Sequence, residues 1–328
     1  MSDPRPYPAV RAGRWLRRQY DGLMKADHWR IGIVPRPIHT FLEEPHIRDV
    51  DWFPVPPGRD RYVADPFGCG DAGSGTILVE DYDHRGRHGR LAAYRLSGPD
   101  VTGPVAVREF AEHASYPYLF PVGDEWWCVP EIAKAGQVRV FRFDPVELRL
   151  TDLGVLLGGV RLVDPTVFEW DRRWWLLGTD LDRGPNSYLR AWWTEELPGP
   201  WSAHELDPLK VDAASARGAG TPFVHDGVLY RPAQDCSGSY GAGVTIQRVL
   251  RLDPTGFEEI EAARVDPDSA GSCPDGLHTL SAFGTSTLVD GTRHAFSAPA
   301  FRHELAQRCR AGAERLKTSR RPSPGNRA

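Results

Sequence analysis

Cysteine is sparse and unpatterned in this chain. Its five Cys stand at 69, 128, 236, 273 and 309, an odd number with no CxxC pair. That argues against a disulfide framework or a Cys-based zinc site and points to a reduced, cytoplasmic setting. No stretch approaches the roughly 20 apolar residues that a membrane span requires, so no transmembrane segment is expected. The amino-terminal residues carry Arg and Pro but no long apolar run, so no secretory leader is expected either. The GxSxG, P-loop and HExxH patterns are missing, which leaves a hydrolytic triad, a phosphate loop or a zinc protease without support. No His/Cys metal spacing and no cofactor motif stand out, and none is expected. A net charge of -4 gives no whole-chain case for nucleic acid.

What is present is repetition. A two-strand unit recurs five times, roughly every 50 residues. Its copies are Ala64–Phe67 leading to Ile77–Asp81, Ser115–Phe120 to Trp126–Glu131, Val163–Phe168 to Trp174–Asp180, Gly220–Val224 to Val228–Pro232, and Leu277–Leu280 to Arg293–Phe296. A strand repeat of this length predicts an all-β, five-bladed β-propeller, with the first strand of each blade gathered around one axis. Third strands are expected at 91–96, 138–143, 189–193 and 244–250, and fourth strands near 105–110, 203–206 and 259–265. Residues 29–34 precede the first repeat, and the fifth repeat lacks strands. They are therefore expected to close the ring within the last blade, which removes free sheet edges. Eleven Trp and thirteen Phe supply large rings for packing between blades.

Three segments follow. Residues 1–27 form an extension with a short amphipathic helix at 9–25. Residues 28–301 form the propeller. Residues 302–328, with eight Lys or Arg against two Glu, form a basic tail expected to be disordered.

The blade leads carry the first candidate chemistry. Asp65 and Asp164 each stand in an Asp-Pro step at equivalent repeat positions. Proline suits the first residue of a strand and is expected to hold the Asp before it extended, aimed at the axis. An Asp-Pro turn that caps its own backbone is the plainer alternative. The strand-two exits carry the second set: Glu80-Asp81, Glu131, Asp180 and Asp235. Glu131 is the sharpest, since it leaves an apolar strand through Pro130. Carboxyl groups that repel one another separate in pKa, so one serves as acid and another as base. Asp65, Glu131 and Asp164 are therefore the catalytic candidates, for a glycosyl bond. Arg217, in a Gly-rich stretch, with Arg231, Gln234 and Asp235 on blade four, Tyr116 on blade two and His278 on blade five, are the substrate-binding candidates.

The strings His113-Ala114-Ser115-Tyr116-Pro117, Val129-Pro130-Glu131, Asp164-Pro165-Thr166-Val167-Phe168, Ala216-Arg217-Gly218-Ala219-Gly220, Tyr230-Arg231-Pro232-Ala233-Gln234-Asp235-Cys236 and Gly276-Leu277-His278-Thr279-Leu280 together resemble the N-terminal domain of glucosamine inositolphosphorylceramide transferases. The resemblance runs from about residue 28 to about residue 298. It implies a five-bladed propeller related to arabinanase- and xylosidase-type glycoside hydrolases, whose blade-one Asp-Pro matches Asp65-Pro66. It implies a carbohydrate or glycoconjugate ligand and glycoside hydrolase-like or glycosyltransferase-related chemistry. In the plant family the sugar-transfer domain is a separate C-terminal unit, and bacterial domains of this type occur alone or beside formyltransferase-like domains. A non-catalytic sugar-binding or scaffold domain, serving a partner transferase or formyltransferase-like enzyme, is the alternative.

Overall fold

The computed structural model describes residues 25–54 and 60–319, with side chains to residue 309. The chain enters on β1 (Ala26–Val34) and the short β2 (Asp51–Trp52). Blade one is β3 (Arg61–Gly70), β4 (Ser74–Asp83), β5 (His88–Ser97) and β6 (Asp100–Arg108). Blade two is β7 (Ser115–Val122), β8 (Glu125–Glu131), β9 (Gln137–Asp144) and β10 (Arg149–Gly158). Blade three is β11 (Leu162–Trp170), β12 (Arg173–Asp180) and β13 (Tyr188–Thr194), edged by β14 (Ser202–Ala203) and β15 (Lys210–Val211). Blade four is β16 (Phe223–His225), β17 (Val228–Asp235), β18 (Gly243–Asp253) and β19 (Gly256–Val265). The last blade combines β20 (Leu280–Phe283) and β21 (Ser286–Ala295) with β1 and β2, in the order β2-β1-β21-β20. Five antiparallel sheets thus make the expected five-bladed propeller.

The ring closes as the sequence implied. Ala26–Val34 pairs residue for residue with Thr287–Ala295. The register also corrects the fifth repeat, whose second strand begins at Ser286 and not near Arg293. Two pairs of adjacent Trp on blade three alternate in burial, with Trp175 and Trp192 buried and Trp174 and Trp193 half-buried, whereas Trp126 and Trp127 are both half-buried. Gly68-Cys69-Gly70-Asp71-Ala72-Gly73 has the spacing of a dinucleotide loop, but it lies in the β3–β4 hairpin and opens no helix.

The terminal segments differ in outcome. The helix expected at 9–25 falls almost wholly outside the described residues. Of the tail expected to be disordered, residues 320–328 lie outside the described residues, and residues 302–319 lie in the helix α1 (Ala298–Ser319). Its Ala, Leu, Glu, Gln, Arg and Lys are strong helix formers, and Glu304 accepts from Arg308 one turn on. Among the described residues no helix is long and apolar enough to cross a membrane.

A candidate axial site

The local backbone that builds the site repeats three times. At Asp65-Pro66, Tyr116-Pro117 and Asp164-Pro165 the first strand slips register against the second, between Ala64 and Phe67, Ser115 and Tyr118, and Val163 and Thr166. Each residue before the proline has a positive φ: 52° at Asp65, 41° at Tyr116 and 49° at Asp164. This corrects the expectation of an extended Asp. The proline does bar the right-handed helical region from its predecessor, but the bulge places that predecessor in the left-handed region instead. Such a conformation costs about 1–3 kcal/mol per residue and persists only where neighbours hold it.

Those neighbours are carboxylates. The Asp65 N–H donates to Asp290 Oδ2 at 3.0 Å, the Tyr116 N–H to Asp65 Oδ2 at 3.1 Å, and the Asp164 N–H to Glu131 Oε2 at 3.1 Å. Each bulge amide is thus satisfied by an acid of the preceding blade. Asp290 was not anticipated: in Val289-Asp290-Gly291-Thr292 it reads as a turn residue. In the fold it is fully buried and also accepts the amides of His278 and Thr279 at 3.1 and 2.9 Å.

Strand alternation sorts the strand-two acids. Glu80 opposes Ala64 and Glu131 opposes Ser115, each beside a bulge. The other strand-two acids are held by arginines instead: Asp81 is bracketed by Arg61 and Arg90, Asp180 meets Arg190, and Asp235 meets Arg264. Asp235 also caps Ser237. The recurring acid pattern therefore mixes two faces, and Glu80 belongs with the axial set.

Arg217 and Gln234 converge on Asp164 from blade four. Arg217 Nε donates to Asp164 Oδ2 at 2.5 Å, and Gln234 Nε2 donates to the same oxygen at 3.0 Å. Arg231 does not join them. It donates to Glu259 and to the carbonyls of Ser215 and Ala216, and ties β17 to β19. Tyr116 contributes its backbone amide, while its ring is buried and its hydroxyl accepts the Gly220 N–H at 2.9 Å. At Gly220, with φ of 121°, an added Cβ would lie 1.8 Å from the Leu280 carbonyl oxygen, so only glycine lets the strands approach so closely.

His278 sits on the axis, 2.7 Å through Nδ1 from Asp290 Oδ2 and 3.7 Å from Asp65 Oδ1. Trp29 of the closing strand stacks on its ring at 3.7 Å. Tyr240, 42% exposed, stands edge-on to His278 and under the Arg217 guanidinium, so the cluster meets solvent here. Asp65, His278 and Asp290 offer ligand atoms within 4.8 Å of one another. As placed, Nδ1 of His278 is engaged by Asp290, so the trio stands as a hydrogen-bonded ion-pair network.

The electrostatics follow from enclosure. Burial, with repulsion from Asp290 and Asp164 outweighing part of the pull of His278, pushes Asp65 up to about 6. Burial and then the Asp164 carboxylate push Glu131 up to about 8, against the pull of Arg217. Glu131 keeps some surface at the rim, yet its carboxyl lies deep among the blade walls. Burial, reinforced by Asp65, Glu131 and Asp164, holds Glu80 well above the usual carboxylate range. Burial works against the His278 imidazolium, but the Asp290 and Asp65 carboxylates prevail and raise it. These mutual influences place the five acids, Asp65, Glu80, Glu131, Asp164 and Asp290, within one electrostatic cluster.

Comparison with known proteins matches the middle of the chain to one family. Residues 101–271 match the family "Glucosamine inositolphosphorylceramide transferase 1, N-terminal". Glucosamine inositolphosphorylceramide transferase 1 of Oryza sativa subsp. japonica is 34% identical over 208 residues, 61% of this chain and 28% of the relative. The Arabidopsis thaliana protein of the same name is 30% identical over 208 residues, 61% of this chain and 27% of the relative. The chain thus spans about a quarter of the length of these relatives. Among solved structures, an α-L-arabinofuranosidase from Podospora anserina, solved with cellotriose, shares the fold with a TM-score of 0.51 and 13% identity, over 75% of this chain and 94% of that one. The match covers more than half of the chain and all of blades two to four, and on that ground the protein belongs to the family of the N-terminal domain of glucosamine inositolphosphorylceramide transferase 1.

Proposed function

We propose that this carbohydrate-active propeller works on the glycosyl bond of a carbohydrate or glycoconjugate, in a reduced, cytoplasmic compartment. The observation that carries the reading is the convergence of Asp65, Glu131 and Asp164 from three successive blades on one axis, linked through bulge amides. Asp65, ionised near neutrality, serves as the base or nucleophile. Glu131, protonated near neutrality, serves as the acid that protonates the leaving oxygen. Asp164, fixed by Arg217 and Gln234, positions the others and sustains the raised pKa of Glu131. Tyr240, exposed at the rim, contacts the sugar, with the largely buried Arg217 guanidinium beside it. The relatives' names, which pair glucosamine with inositolphosphorylceramide, support a glycoconjugate over a free polysaccharide.

A second reading has its own observation. Asp65, Glu131 and Asp290 each also satisfy a strained bulge amide, and Asp164 is itself held by one of those contacts, so these acids serve the fold whether or not they react. A domain that binds a glycoconjugate and presents it to a separate transferase or formyltransferase-like partner would use the same residues.

A binding screen against glycans and sugar nucleotides, followed by product analysis, separates the two. Turnover that disappears in Asp65→Asn while binding persists supports the glycosyl-bond reading. Saturable binding with no product across donors and acceptors supports the presenting domain.

A further inference from the structure

The outer face of the closing strand pair carries a basic cavity. β1 and β21 pair with His28 opposite Arg293 and Arg30 opposite Gly291. His28, Arg30 and Arg293 therefore share one face of the sheet, with the two arginines diagonal neighbours. Arg61 of blade one faces them across a cavity of about 330 Å³ that has no acid in its lining. Trp29, between His28 and Arg30, turns to the other face and stacks on His278. One strand thus serves both the axis and this cavity.

The charge in the cavity is not balanced. Arg61 is paired with Asp81. The nearby Asp27 and Asp60 are engaged by His294 and Arg85. Arg30 and Arg293 have no carboxylate partner among the described residues. Arg30 donates from Nη2 to the Phe53 carbonyl at 3.2 Å, and its Nε is enclosed without a hydrogen-bond partner among the described residues. Arg293 donates to the carbonyls of Ser272 and Gly271 at 2.9 and 3.3 Å. Carbonyls orient these guanidinium groups but do not neutralise them. Two like charges held at diagonal positions repel, and a bound oxyanion offsets both through forked N–H···O contacts.

We propose that this cavity is a binding site for a phosphate group, held by Arg30 and Arg293 with Arg61 at its edge. The phosphate belongs either to a soluble phosphate compound or to an anionic lipid headgroup. The assignment rests on the cavity alone and does not depend on glycosyl chemistry at the axis.

The test is calorimetric titration of the whole chain with inorganic phosphate at constant ionic strength. A parallel arm measures binding to phosphatidylcholine vesicles with and without phosphatidylglycerol. Saturable phosphate binding should weaken about ten-fold or more in Arg293→Gln, the loss of a charge-assisted contact. It should stay unchanged in Arg142→Gln, an exposed arginine paired with Glu125 on blade two. Should Arg293→Gln fail to fold, Arg30→Lys tests the same point, since it keeps the charge and removes the fork. Vesicle binding that needs phosphatidylglycerol and is competed by phosphate assigns the lipid source. Phosphate binding without vesicle binding assigns the soluble one. No saturable phosphate binding by the unmutated chain, or undiminished binding in Arg30→Lys and Arg293→Gln, overturns the proposal.

Discussion

Arg217 grips Asp164 across 53 positions of sequence, with Nε 2.5 Å from Oδ2 and Nη2 3.4 Å from Oδ1. Both side chains are largely buried. Asp164 in turn stands against Glu131, which accepts its amide. One ion pair from blade four thereby fixes the charge that acts on blade two.

Asp164→Asn should bring the Glu131 pKa down from about 8 toward the ordinary 4.5, because it removes the repulsion that ranks next after burial among the causes of its rise. It should also destabilise the fold by on the order of 3 kcal/mol, since Arg217 is left buried without its counter-charge. Carbon-detected NMR titration of Glu131 reads the first effect and urea denaturation the second. An unmoved Glu131 would remove Asp164 from its environment.

Folding stability should fall as pH rises. Asp65 goes from 3.8 to about 6 on folding, and Glu131 from 4.5 to about 8. His278 is raised above 6.5. In each case the folded state binds the proton more tightly than the unfolded chain. The stability gained is complete below the unfolded values and is lost as pH climbs through the folded ones. The melting temperature should therefore be higher near about pH 5 than near about pH 9. Glu131→Gln should flatten the upper part of the decline and Asp65→Asn the lower part. Scanning calorimetry across this range gives the answer, and a decline unaltered by either variant contradicts the assignment.

On a substrate returned by the screen, kcat/KM should follow a bell in pH. Its rising limb near about 6 reports ionisation of Asp65, and its falling limb near about 8 reports deprotonation of Glu131. Glu131→Gln should abolish the falling limb and slow the reaction by about two to four powers of ten. A bell that keeps both limbs in Glu131→Gln assigns the acid to another group, with Glu80 the nearest candidate.

Tyr116→Phe should cost about 1–3 kcal/mol of stability, because the Gly220 N–H loses its buried acceptor. Ligand affinity should hardly change, since the hydroxyl points into the protein. Chemical denaturation and a binding isotherm on the same sample check both statements. A large loss of affinity at unchanged stability would return Tyr116 to the ligand.

The amino-acid sequence determined the architecture. Its strand repeat set five blades, and the spare apolar strand at 29–34 set how the ring closes, because hydrophobic periodicity is local and survives without coordinates. It also placed Asp65 and Asp164 at equivalent blade leads and Glu131 at the exit of a second strand. Only the tertiary structure decided which acids face one another. Glu80 and Asp81 are adjacent in the chain, and register alone sends one to the axis and the other to Arg61 and Arg90. Asp290 drew no attention in the sequence, and only the fold brings three amides from blade leads onto it. Arg231 looked like a ligand contact until Glu259, on a strand 28 residues away, supplied its partner. A side chain's face and partner follow from pairing between distant strands, and that pairing depends on the bulges at Asp65, Tyr116 and Asp164, which no propensity of the individual residues announces.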